Sequence, residues 1–243
     1  MAQLSREKIP VGVSSCLLGE KVRYDGGHKR SDYIVETLGE HFDLQAFCPE
    51  MAAGLGVPRP PVRLLATDAG LHAVGVSDPS LDVSDALKAC AEDKKVWHST
   101  LCGYILKKGS PSCGMERVKT YRPDCEQPEL NGVGLYADAL MRNFPALPVE
   151  DEGHLDDLKL RASFVRRVYV MHLWQQMIAE GLSVSSLTEF HGRLDQGFLN
   201  NDNNESPAFD VLIAQCENNL SETAQAYILR IMTMLKTVAD KEE

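Results

Sequence analysis

The 243-residue sequence has no apolar run near the roughly 20 residues of a membrane span. Residues 1–10 are polar and the run at 11–18 is interrupted by Ser14 and Ser15, so no secretory leader is expected. It has no basic excess: 25 Lys and Arg stand against 35 Asp and Glu, a formal charge of −10. That balance argues against broad binding to large nucleic acids or acidic membranes, which needs a basic field. No Cys-x-x-Cys pair occurs, so a zinc ribbon or thioredoxin-type site does not fit. No phosphate-binding Gly-x-x-x-x-Gly-Lys-Ser/Thr loop and no internal repeat is present. The seven cysteines are odd in number and dispersed. They read as thiols or metal ligands in a reducing cytoplasm rather than as a disulfide framework.

What is present is an alternation of strand and helix patterns. Residues 11–13, 42–47 and 104–107 read as strands, and 62–67 with 72–76 as a strand pair. Helices are expected over 33–40, 82–101, with Val96 and Trp97 on the apolar face, and 135–142. The stretch 122–129 reads as polar and irregular, and 146–149 as a last strand. This pattern predicts an α/β fold, doubly wound and Rossmann-like, with a mainly parallel sheet over residues 1–150. After an acidic junction at Asp151, Glu152, Asp156 and Asp157 the pattern is helical only. Helices are expected over 160–178 and 184–191, with two more within 208–238 and a polar loop at 200–205. Residues 151–243 are therefore expected to form a small all-α domain.

Cys16, Cys48 and Cys113 each follow a strand-like run and lie among Gly, Pro and Ser. Strand-end loops of an α/β sheet converge on one crevice, so three thiolates can meet there with a coordination position left open. Such a donor set suits zinc or an iron–sulfur cluster. On spacing alone, three buried core thiols explain the residues equally well. The remaining cysteines, 90, 102, 125 and 216, lie in helical or irregular stretches and read as structural. Glu50, two residues after Cys48, is a candidate general acid or base, or else an ordinary loop residue. Ser110 and Ser112 can hydrogen-bond a substrate or simply cap a turn. Arg23, Arg59, Lys107 and Lys108 are the nearby cations that could meet an anionic ligand.

Three ordered motifs carry a resemblance. They are Ser15-Cys16-Leu17-Leu18-Gly19 with Val22-Arg23-Tyr24-Asp25-Gly26; Cys48-Pro49-Glu50 with Gly54-Leu55 and Pro58-Arg59-Pro60-Pro61; and Ser110-Pro111-Ser112-Cys113-Gly114. Over residues 9–150 the chain resembles the thiouracil desulfurase (desulfidase) family. The resemblance implies a 4Fe–4S cluster held by Cys16, Cys48 and Cys113, with the fourth iron open to the sulfur of a thiolated pyrimidine. It implies acid/base work for Glu50 and positioning by Ser112 and Ser110. The expected activity is a non-redox desulfidase acting on 2- or 4-thiouracil, or its nucleotide. Two other readings stay in view: an iron–sulfur sensor without catalysis, and a zinc hydrolase with three thiolate ligands. The tail, through Leu160-Arg161-Ala162-Ser163-Phe164-Val165 and Leu187-Thr188-Glu189-Phe190-His191, resembles a helical domain of unknown function found behind such domains. It departs from that pattern after His191, which suggests a shortened version; His191 and Arg193 are candidate substrate contacts or a helix-end polar pair.

Overall fold

The structure is a computed structural model that describes residues 8–197 and 219–240. Cys216, the polar loop at 200–205 and the first of the two helices expected within 208–238 lie outside the described residues. The chain divides into two compact units, Met1–Pro145 with Val149–Asp156, and Ala146–Pro148 with Asp157–Glu243.

The first unit is built on a four-stranded, all-parallel sheet in the order β2-β1-β5-β8. Its strands are β1 (Ile9–Ser14), β2 (Phe42–Phe47), β5 (Gly103–Leu106) and β8 (Val149–Asp151). The two central strands are apolar on both faces, as a doubly covered parallel sheet requires. Val11 and Val13 of β1, and Tyr104, Ile105 and Leu106 of β5, are fully buried. β1 is clamped from both sides, pairing Val11 with Leu44 of β2 and with Gly103 of β5. Gly12 permits this closeness, since a Cβ there would lie 2.5 Å from the Tyr104 ring.

A second sheet has the order β4-β3-β6-β7. It comprises the hairpin β3 (Val62–Thr67) and β4 (Gly70–Gly75), then β6 (Val118–Arg122) and β7 (Cys125–Gly132). The polar stretch expected at 122–129 is thus mostly strand. Val118 and Thr120 point inward while Lys119 is exposed, so β6 does alternate. β7 is an edge strand, where charged residues and Pro128 cost no ladder partner.

The long helix expected over 82–101 is broken. Helix Ser84–Asp93 ends at Lys94, and a separate turn, Lys95–His98, follows. The break lets Trp97 and His98 turn toward the sheet while Val96 is left exposed. Trp97 donates to Gln45 Oε1 at 2.6 Å and packs on Phe47. His98 Nε2 shares a 2.7 Å hydrogen bond with the Tyr136 hydroxyl, which donates to the Tyr104 hydroxyl at 3.2 Å.

In the second unit, Asp157 caps helix Leu158–Glu180 by accepting from the N–H groups of Lys159 and Leu160. Helices Val184–Gly197 and Leu220–Asp240 complete the described part. Trp174, Phe190 and Tyr227 form its aromatic centre. No helix among the described residues is long and apolar enough to cross a membrane.

His98 is fully buried, and burial pushes its pKa down to about 4, against the opposing pull of the Ala91 backbone. The unfolded chain takes up this proton near its ordinary value, about 6.5, and the folded chain does not. Stability is therefore expected to fall as pH drops from about 6.5 to about 4, by up to about 3 kcal/mol. Urea titrations across that window should show His98→Gln losing the greater part of this slope relative to the unaltered chain.

Candidate functional site

The three sequence-predicted cysteines meet at the C-terminal edge of the parallel sheet. Strand β1 ends at Ser14, and Cys16 lies in the tight turn Ser15–Leu18 directly after it. Ser14 pairs with Phe47, so Cys48 leaves β2 at the same height. Cys48 then opens the short helix Pro49–Ala52, with Pro49 in its first turn where no N–H is needed. Cys113 comes from the loop after β5, and the Lys107 N–H donates to Ser14 Oγ at 3.0 Å, tying that loop to β1. All three cysteines line one cavity of about 200 Å³.

The Cys113 loop is shaped from within and gripped from outside. Ser110 Oγ accepts from the N–H groups of Ser112 and Cys113, at 3.2 and 3.1 Å. Ser110 also lines the cavity, so it both caps the turn and faces any ligand. Helix Leu135–Asn143 begins against this loop. The Leu135 N–H donates to Pro111 O, and those of Tyr136 and Ala137 to Ser112 O, at 3.1 Å each. The loop carbonyls thereby satisfy a helix start that has no side-chain cap. Gly134 makes the contact possible: a Cβ there would sit 2.5 Å from the Ser112 carbonyl carbon and 2.9 Å from the Cys113 nitrogen.

Glu50 stands on the cavity wall beside the sulfurs. Its Oε1 accepts from Ser112 Oγ at 2.8 Å. Its Oε2 accepts from Arg59 Nε at 2.9 Å and from a second guanidinium nitrogen. Ser112 is fully buried and lies behind Glu50 rather than on the cavity surface. Arg23, Lys107 and Lys108 also line the cavity. Lys107 is paired with Glu152, whose other oxygen accepts from the Lys108 N–H at 2.6 Å. Sequence reasoning had not singled out Glu152; its nearest sequence signal is the acidic junction.

The sulfurs raise one another's proton affinity. Burial first, then the neighbouring Cys48, push the Cys16 thiol up to about 11, against the pull of Lys107 and Arg23. Cys113 is raised well above its ordinary value by burial, Cys48 and Glu50, with a hydrogen bond to Ser14 opposing. Burial raises Cys48; the Met51 N–H pulls the other way and Glu50 adds to the rise. Ionising all three thiols here is disfavoured, and a cation bound by the sulfurs would lower that cost. Among the described residues no three His, Cys, Asp or Glu side chains are close enough to hold a single ion. Three cysteine sulfurs lining one cavity are the donor type that holds an iron–sulfur cluster.

Among the described residues, Cys90, Cys102 and Cys125 are not part of this cavity's lining. Cys90 donates from helix Ser84–Asp93 to Pro49 O at 3.6 Å, Cys102 is fully buried, and Cys125 is exposed at the hairpin tip. In the helical unit His191 is buried and shares a 2.9 Å hydrogen bond with the Tyr227 hydroxyl, while Arg193 is exposed.

The family model for 2-thiouracil desulfurase matches residues 11–152. The uncharacterized protein YbbK of Bacillus subtilis (strain 168) is 31% identical over 155 residues, covering 60% of this chain and 97% of that protein. A solved structure of a 4Fe-4S-dependent thiouracil desulfidase, TudS, aligns with a TM-score of 0.51 and 36% identity, covering 64% of this chain and 99% of that one.

The Gly134 contact gives a direct test of how the cysteine loop is held. Gly134→Ala should lower stability by about 1–3 kcal/mol in urea titrations, because the clash is with backbone that cannot swing away. Gly192→Ala, in a helix and with open space around its Cβ position, should be neutral or mildly stabilising.

Proposed function

The chain belongs to the 2-thiouracil desulfurase family, and on that footing we propose that it removes sulfur from a thiolated pyrimidine. The substrate class is 2- or 4-thiouracil or the corresponding nucleotide. The observation that carries this reading is the convergence of Cys16, Cys48 and Cys113 on one cavity with Glu50 on its wall. We assign the reaction to the first unit, in the cytoplasm, with a base-sized ligand rather than a large RNA as the partner. We assign the helical tail no part in the chemistry.

Cys16, Cys48 and Cys113 would hold a 4Fe–4S cluster, whose preference for sulfur ligands at an iron without a protein ligand supplies the Lewis acidity. The chain's own residues then manage the proton and the oxygen. Glu50 accepts a proton from a water molecule in the cavity as that water adds to the thiocarbonyl carbon. The same carboxyl returns the proton as the carbon–sulfur bond breaks. Water and thiocarbonyl thus give carbonyl and hydrogen sulfide, released as hydrosulfide and a proton, with no net oxidation. Ser112 holds Glu50 through Oε1, and Ser110 keeps the Cys113 turn closed while presenting its hydroxyl edge to the cavity. Lys108 lines the cavity, as does Arg23, which is also paired with Asp25 at 3.6 Å; both are cations within reach of an anionic ring or phosphate.

Protein purified without oxygen should be brown, contain about four iron atoms and four acid-labile sulfides per chain, and release hydrosulfide from thiouracil. Glu50→Gln should keep iron and sulfide but lose about 10²–10⁴-fold in turnover. Cys113→Ala should lose both cluster and activity; a Cys113→Ala protein with full iron content and normal turnover would sink the assignment.

A further inference from the structure

Arg59 sits at the end of the Gly- and Pro-rich loop that follows Cys48, and its side chain is only 4% exposed. All of its guanidinium nitrogens are engaged. Nε and one terminal nitrogen both bond Glu50 Oε2, and the other terminal nitrogen donates to Gly56 O at 2.7 Å and lies 3.8 Å from Met51 Sδ. Its backbone N–H donates to Tyr24 O at 3.0 Å, which fixes the loop from the far side. A guanidinium occupied in this way has no fork left for a substrate anion, so the reading of Arg59 as an anion contact gives way to another.

An ionised carboxylate offers about four acceptor positions, two on each oxygen. Arg59 fills both positions on Oε2, and Ser112 fills one on Oε1. The position left is on Oε1, the oxygen that Arg59 does not touch. We propose that Arg59 is a positioning residue that fixes the Glu50 carboxylate so that proton exchange with the ligand in the cavity runs through Oε1 alone. The inference rests on the desulfidase reading. Lysine carries the same charge but has no planar fork, so it cannot hold one oxygen from two sides.

The test is a double-mutant cycle on the cluster-loaded protein, scored by hydrosulfide release from thiouracil, with iron, acid-labile sulfide and melting temperature measured in parallel. Arg59→Lys should keep its iron, sulfide and melting temperature and leave KM within about twofold. Its kcat should fall about 10–100-fold, the usual loss when a supporting residue is removed from behind a catalytic one. In the Glu50→Gln background the same substitution should cost less than about twofold, because the group it acts through is already gone. An equal loss in both backgrounds overturns the proposal. So does a large rise in KM with kcat intact, which would make Arg59 a substrate contact. Loss of iron or failure to fold in Arg59→Lys would assign it to building the site and overturns it as well. Unaltered protein that carries iron but releases no hydrosulfide removes the desulfidase reading and this inference with it; hydrosulfide release with an additive cycle removes only the role of Arg59.

Discussion

The parallel pairing of β1 with β2 and β5 is the constraint on which the rest of the site depends. Parallel strands bring their C-terminal ends to one edge, and ladder register fixes how far each runs before its loop begins. Ser14 opposite Phe47 puts Cys16 and Cys48 within two residues of the same edge, and Val13 opposite Ile105 brings the Cys113 loop there too. A slip of one residue in either ladder would turn an inward side chain outward and carry a cysteine away. The apolar packing of β1 and β5 therefore sets the geometry of the sulfurs as well as the stability of the fold.

Around that edge the polar groups form a closed system. Burial and mutual repulsion make the three thiols poor acids, so the arrangement favours occupancy by a cationic centre over three free thiolates. Glu50 adds a negative charge where negative charge is least welcome. Arg59 and Ser112 make this tenable by occupying its two oxygens, so the carboxylate is held by short local bonds rather than by solvent. Lys107 and Glu152 repeat the theme on the opposite loop, joining the ends of β5 and β8. The acidic surplus of the whole chain says little about this pocket, whose lining carries Arg23, Arg59, Lys107 and Lys108.

The parallel sheet and the cysteine edge were legible in the sequence because their residues obey strong local rules. β1 and β5 are short apolar runs, β2 alternates around Phe42, Leu44 and Ala46, and each is followed by a loop rich in Gly, Pro or Ser; three cysteines after three such strands point to one crevice. The hairpin of β6 and β7 was missed because its outer strand lies at a sheet edge, where polar residues suit the exposed side. The break at Lys94 was missed because helical spacing cannot report that Trp97 and His98 are drawn to the sheet by Gln45 and Tyr136. Cations were identified by proximity in sequence, which could not separate Arg59, bonded to Glu50, from Arg23 and Lys108, which line the cavity without touching Glu50. Ser112 was named for the right neighbourhood, but only the three-dimensional placement puts its hydroxyl behind Glu50 instead of on the cavity surface. Gly134 reads in the sequence only as the lead into a helix; its contact with the Cys113 loop is visible only in the fold.

The central claim is that three thiols from three strand ends would hold a 4Fe–4S cluster in the cavity whose wall carries Glu50. Anomalous diffraction at the iron edge, from crystals of the anaerobically loaded protein, measures this directly. The account predicts one four-iron cluster in this cavity, bonded to Cys16, Cys48 and Cys113, with no protein ligand on its remaining iron. A single metal ion at the site, a fourth protein ligand on the cluster, or iron bound away from these three cysteines would contradict it.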